Sequence, residues 1–473
     1  MNDKERHQDP TKVKSPSAYS NLKRAFNEFL NVPIYILIGA LLLLWVAVAL
    51  DHERPGWLEP LRQFLANNLF PDSQTTGNYL SVLVGGLLTV TSITLSMIMI
   101  ALQQSASNMG NLVVDQFINR RRNQVHFGFF VALSVYVLIL YGLVTNAFNP
   151  VIAASLALIL TAVSMFVLIL LVYTVFNQLR PEVIIQTVHN NAIRARQREL
   201  TSLGRTRRVS KMDFGFSRKV HSQNHGFITN IDLNVIEELQ PRLSGEYEIL
   251  LKVHFGSYIS YGDILAEIRA QVQNDLDMLE PGVRQMTKLG IQRNVHNDSS
   301  YSLEQFEGIG WTAASSSKQN PETGLMVIRF MRDVLSRFLA MENGYGNQLT
   351  LPVVYEDVVI THLLDEFEAM AVVSSESLQY QSFAEVFDAI NVLYDRLPKD
   401  LRDHVDRSLL RMLAVMGDLT LTRELEAASG RLVTTLKQAG SWDTANAIEK
   451  ACDKLGLSIG ELNSKSTRVP SGG

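Results

Sequence analysis

The sequence predicts a mainly α membrane protein, four transmembrane helices followed by an α+β cytoplasmic region with a small β module and a helical C-terminal part. Three observations carry this. Residues 29–50, 73–110 and 123–179 contain no Asp, Glu, Lys or Arg. Basic residues gather at alternate ends of these runs. Beyond residue 220 the texture changes to short β-like runs with glycine turns, then to amphipathic helical periodicity.

Residues 1–28 are polar and mixed in charge, with Lys12, Lys14, Lys23 and Arg24 leading into the first apolar run, and read as a flexible cytoplasmic arm. The run of about 29–50 is too long for the apolar core of a signal peptide and lacks a cleavage site before Asp51, so it is expected to stay as a membrane anchor. The connection from Asp51 to Asn78 carries Pro55, Trp57, Pro60 and Pro71 with two basic residues, Arg54 and Arg62, and is placed on the outer surface.

The second span, about 79–103, has a polar side. At 3.6 residues per turn, Gly85, Thr89, Ser92, Ser96, Met99, Gln103, Ser107 and Gly110 share one narrow face, while Leu87, Val90, Ile98 and Ala101 lie opposite. In hydrocarbon, small and hydroxylated residues belong where helices touch or where water enters, so the stripe is either a packing seam or a pore lining.

After Arg120, Arg121 and Arg122 comes a charge-free run too long for one helix, and Asn146-Ala-Phe-Asn149-Pro150 supplies the turn that breaks it. The third and fourth spans are placed at about 126–145 and 151–176, which makes 29–180 a four-helix transmembrane domain. Arg180, Arg194, Arg196, Arg198, Arg205, Arg207, Arg208 and Lys211 follow. By the positive-inside rule both termini are cytoplasmic, and the 146–150 turn is outside.

Residues 181–219 read as a juxtamembrane helix and linker, with Val183, Ile184, Val188, Ala192 and Ala195 on one helix face. The β module is placed at 220–270, with strand character at 226–232 and 247–253. The spacing of Gly256, Ile259, Gly262-Asp263, Leu265 and Ile268 is similar to the half-motif of the biotinyl/lipoyl-like barrel-sandwich hybrid. The lysine turn that those carrier domains modify is missing, so a barrel-sandwich-like fold here implies a structural or docking module. Residues 271–463 form a helical cytoplasmic domain, with helices near 301–315, 324–341, 355–373, 379–396, 399–416, 420–438 and 442–455 and a strand within 348–354. The tail 464–473 is expected to be disordered.

A net charge of -4 gives no sign of a nucleic-acid partner, and the single cysteine, Cys452, excludes an intrachain disulfide and a cysteine-based zinc site. It reads as a small buried hydrophobe. No phosphate loop, dinucleotide fingerprint or zinc-protease helix is present. Ser315 and Lys318 have acyl-enzyme spacing without the partner motifs, and His221 with His225 is too few ligands for a metal site. No carboxylate falls inside the spans, so no proton relay is visible. The chain is therefore expected to be no enzyme and to need no cofactor or metal.

Span two with its tail, the charge-free double span and the glycine-rich β segment resemble the bacterial predicted integral membrane proteins grouped as domain of unknown function 2254. Gln104, Ala106 and Ser107 fit that family's link after span two, with Met109-Gly110-Asn111 departing from it. Arg293, Asp298 and Tyr301 match a later segment in which Asn294, Asn297 and Ser299 depart, and Pro321 and Thr323 match a further one in which Gln319 and Asn320 depart. The resemblance implies a divergent member and no known activity. Arg293 with Asp298 is expected to form a buried ion pair tying the β module to a helix, or to mark a ligand site. The expected partners are the lipid bilayer of the bacterial inner (plasma) membrane, further copies of the chain and a cytoplasmic protein. Two functions remain open: an oligomeric, channel-like or small-solute pathway lined by span two, or a non-conducting membrane-anchored scaffold or sensor.

Overall fold

The computed structural model describes residues 30–109, 121–178, 180–210, 214–315, 321–342, 350–417 and 419–459. The N-terminal arm, Gly110, Arg120, Lys211, Lys318, Gln319, Asn320 and the 464–473 tail lie outside the described residues. The chain divides into two compact units, residues 1–183 and 184–473.

The first unit holds helices α1 (Asn31–Glu53), α2 (Glu59–Asn68), α3 (Ser73–Met109), α4 (Arg121–Leu143) and α5 (Val151–Gln178). Four of these, all but α2, are long and apolar enough to cross a membrane. Helix α3 starts earlier than the apolar run alone suggests because Asp72 caps it, its carboxylate accepting from Thr75 N at 2.7 Å and Thr75 Oγ1 at 3.0 Å. The predicted turn is present at 144–150. Asn149 holds it down, accepting from Thr76 Oγ1 at 2.7 Å and donating to Phe70 O at 3.1 Å. Asp51, at the end of α1, caps α5: its carboxylate accepts from Ile152 N and Ala153 N, both at 2.9 Å. Helix α4 is the hub, with 44% of its apolar window buried against 17–22% for the other three. It packs on α1, α3 and α5. Gly128 permits the closest of these approaches, since a Cβ there would lie 2.7 Å from Pro33 Cα.

The second unit begins within α6 (Pro181–Leu203). There follow β1 (Phe216–His221), β2 (Gly226–Ile231), α7 (Asn234–Leu239), β3 (Tyr247–Leu251), β4 (Tyr258–Ile259), β5 (Ile264–Ala270), α8 (Gln273–Met286) and β6 (Thr287–Gly290). The strands form two small sheets, one ordered β1-β5-β3-β7 and one β4-β2-β6, where β7 is Val353–Val354. The module is thus wider than 220–270, because β6 and β7 reach it from later in the chain. Ile228, Ile249, Ile268 and Val220 from the strands pack with Ile236, Leu276, Leu279 and Val283 from α7 and α8. Strand β7 pairs parallel to β3, while Arg207 N donates to Val353 O at 2.8 Å on its other side.

The helical part comprises α9 (Ser299–Ser315), α10 (Pro321–Glu342), α11 (Val359–Glu376), α12 (Tyr380–Leu393), α13 (Lys399–Met416), α14 (Arg423–Gln438) and α15 (Trp442–Gly456). Their apolar stripes bury Phe306, Phe338, Phe367, Phe383 and Phe387 completely. Helix α8 falls in the 271–463 stretch read as helical, where no bounds were set for it, and it carries Pro281 and Gly282 in its interior.

Candidate functional site

Helix α3 packs with its apolar face. Leu80, Leu87, Ile98 and Ala101 are buried, and the polar contact between helices is made by Thr91, whose Oγ1 lies 3.0 Å from Ser134 Oγ of α4. The stripe Gly85, Thr89, Ser92, Ser96, Met99 and Gln103 points the other way and is exposed on the single chain. Thr89 donates to Gly85 O of its own helix at 2.9 Å, and a Cβ added at Gly85 would meet nothing within 4 Å. Ser107 lies in the same helix, its side chain outside the described ones.

In the second unit, buried charge collects where α6, the loop after β3, the segment before α9 and the segment after β7 converge. Arg196 is fully buried. Its Nη2 donates to Asp357 Oδ2 at 2.5 Å and Glu342 Oε1 at 2.9 Å, its Nη1 to Asp357 Oδ1 at 3.2 Å and Glu199 Oε2 at 3.4 Å. The pairing of 353–354 with β3 is what carries Asp357 to it. Burial disfavours the Arg196 cation, yet Asp357, Glu199 and Glu342 outweigh burial and hold the group above its usual range. Glu199 is the reverse case. Burial pushes it up to about 7, against the pull of Arg196 and of Ser299, which donates N–H at 2.6 Å and Oγ–H at 2.7 Å to the carboxylate.

Ser299 opens α9, and the residue before it, Asp298, caps that helix by accepting from Tyr301 N at 3.0 Å. Arg293 grips the same carboxylate with Nε at 2.6 Å and Nη2 at 2.9 Å, pairs with Glu304, and lies over the Tyr301 ring at 5.1 Å. Gly256, from the loop after β3, sits against this pair with φ +77°, and a Cβ there would run into both Arg293 and Asp298. Arg293, Asp298 and Tyr301 are therefore brought together as a tie between the β module, α6 and α9. Pro321 and Thr323 are not. They open α10, beyond the far end of α9, whose 17 residues span roughly 25 Å.

Gly256→Ala is expected to lower stability by about 2 kcal/mol or more, because both the left-handed backbone and the space forbid a side chain. The urea unfolding midpoint of the full chain measures it; an unchanged midpoint would show that the loop can move off Arg293 freely.

A family model described as predicted membrane protein, DUF2254, matches residues 27–378. The chain belongs to the DUF2254 family. No curated protein and no solved structure matches it. The DUF2254 match takes in the stripe and the whole charged tie, and it ends before α12, so the last four helices lie beyond it.

Arg196, Glu199, Glu342 and Asp357 were not foreseen from the sequence. A signal was present, since Arg196 and Glu199 fall on the same buried face of α6 as Ile184, Val188, Ala192 and Ala195. Charge on an otherwise apolar helix face calls for a partner. Among the described residues no group of three or more His, Cys, Asp or Glu is placed to hold a metal. His221 Nδ1 donates to Gly262 O at 2.8 Å. Cys452 is half-buried, and burial pushes its thiol up.

A further charged cluster lies between α9 and α11. Glu366 is buried, with Oε1 3.3 Å from His362 Nε2 and its carboxyl hydrogen-bonded to Glu307. Burial, reinforced by Glu307, Glu304 and Asp365, pushes it up to about 8.

Proposed function

We propose that this DUF2254 protein is an oligomer in the inner membrane, in which α3 of neighbouring copies face one another and frame a pathway for a small solute, with the second unit and both chain ends in the cytoplasm. The observation that supports this is the outward stripe. Hydroxyls at Ser92 and Ser96 and the amide of Gln103 are exposed on a helix apolar enough to cross a bilayer, and lipid offers them no hydrogen-bond partner. A facing copy or water supplies one. The orientation follows from the arginines that follow α3 and α5. The two-sheet module, with its Gly262-Asp263 turn closed by Ser260 N donating to Asp263 Oδ2 at 2.7 Å, fits a barrel-sandwich-like docking role.

A second reading is favoured by Gly85 and by Thr89, whose hydroxyl is already satisfied by its own helix. Those residues suit a dry, close seam between copies, as in a scaffold or sensor whose cytoplasmic unit binds a protein. Single cysteines in a Cys452→Ser background separate the two. The pathway predicts cross-linking between copies and reaction with polar thiol reagents at Ser92→Cys, Ser96→Cys and Gln103→Cys but not at Val90→Cys or Ile98→Cys. Cross-linking with full protection from the reagents, and no solute or ion flux in liposomes under voltage or tension, would leave the scaffold.

A further inference from the structure

Helix α2 joins the first two long helices and presents two apolar flanks. One is packed: Leu65 and Ala66 lie against the cluster that includes Val151, Ala153, Ala154 and Ala157 of α5. The other has no cover. Trp57, just before the helix, is 75% exposed, Leu61 53% and Phe64 62%. Leu61 and Phe64, three residues apart, share one side of the helix, and Trp57 stands in the turn that leads into it. Polar groups occupy other positions of the same helix, where Glu59 accepts from Arg62 at 3.4 Å and from Gln63 at 3.2 Å.

The position of α2 says what meets this stripe. It packs on α5, whose fully buried residues in that cluster lie in the first two turns, within about 10 Å of that helix's start. Helix α5 has 28 residues, roughly 42 Å, against a hydrocarbon core of about 30 Å, so its terminal turns reach head-group level. Leu69, just after α2, and Tyr79 and Val82, early in α3, are exposed apolar residues as well. Large aromatic and aliphatic residues on one side of a short helix at that depth are the composition of an interfacial helix.

We propose that α2 lies in the plane of the outer leaflet, with Trp57, Leu61 and Phe64 set into the boundary between head groups and acyl chains. The occupant of the stripe is lipid. Glu59 and Arg62 neutralise each other, so zwitterionic lipid suffices. This rests on the reading that the four long helices cross the bilayer.

The test uses the full chain in phosphatidylcholine vesicles, with all tryptophans but one replaced by phenylalanine. Trp57 alone is expected to show blue-shifted emission and strongest quenching by lipids brominated near the head group. Trp45, in α1 about 12 Å from the end of that helix, serves as the control and should be quenched best by deeper bromines. Water-like, unquenched Trp57 beside a quenched Trp45 overturns the interfacial placement. Protection of Trp57 from both brominated lipid and aqueous acrylamide also overturns it, and points to a second copy over the stripe. Failure of Trp45 to be quenched instead overturns the spanning reading on which the proposal rests.

Discussion

Glu366→Gln is expected to raise the thermal midpoint of the full chain by on the order of 10 °C at pH 9 and to change it little at pH 5. The ordinary carboxyl value is 4.5 and the folded value about 8, so the folded state holds the proton more tightly than the unfolded one. For a carboxyl raised in this way, stability is lost as pH climbs from the unfolded value to the folded one, and the loss is complete above about 8. A shift of that size corresponds to about 3–5 kcal/mol. The groups facing Glu366 explain why ionisation is resisted. Glu304 and Glu307 come from α9, and Asp365 and His362 from α11. Their own partners are Arg293 on Glu304 and His404 of α13 on Asp365, the latter at 2.7 Å. Glutamine keeps a donor for Glu307 and carries no charge. Melting curves at pH 5, 7 and 9 are the measurement; an increment that does not grow with pH would place the proton elsewhere.

Arg196→Met should destabilise the chain by about 3–5 kcal/mol, the usual cost of removing one side of a buried ion pair. Methionine fills much of the space over Phe338, where the guanidinium now sits 5.6 Å from the ring centroid. It leaves Glu199 and Asp357 without their cation, and Glu342 with Arg208 alone, at 3.3 Å. Arg196→Lys is expected to recover little, because one ammonium cannot reach both oxygens of Asp357 and one of Glu342 as the forked guanidinium does. Adding Asp357→Asn to Arg196→Met should return part of the loss, since it removes uncompensated charge. Urea denaturation of the two single variants and the double variant decides it: a double variant as unstable as the sum of the singles would mean that the charges do not act together.

The four long helices were legible because uncharged stretches of that length have few alternatives in a chain of this size. Most helices of the second unit were legible for a related reason: their apolar positions recur at helical spacing, as Phe383, Val386, Phe387, Ile390 and Leu393 do in α12. The stripe on α3 was visible as periodicity. Its direction was not, because period says which residues share a face and not which face meets the rest of the chain. Strand β6 escaped for want of length, since four residues carry almost no pattern. Strand β7 falls within the expected 348–354, but its pairing with β3, about a hundred positions earlier, left no trace in the sequence. The charged tie was half visible. Arg293 and Asp298 are five residues apart, whereas Arg196 meets Glu342 and Asp357 across separations of 146 and 161 residues.

Asp51 sets a condition on how the first unit is made. Its carboxylate is held by Ile152 and Ala153, which follow it by 101 and 102 residues. The end of α1 and the start of α5 therefore form one joint: the cap on α5 exists only when the chain between them has folded back, so a change at Asp51 is felt a hundred residues downstream, in the first turn of α5.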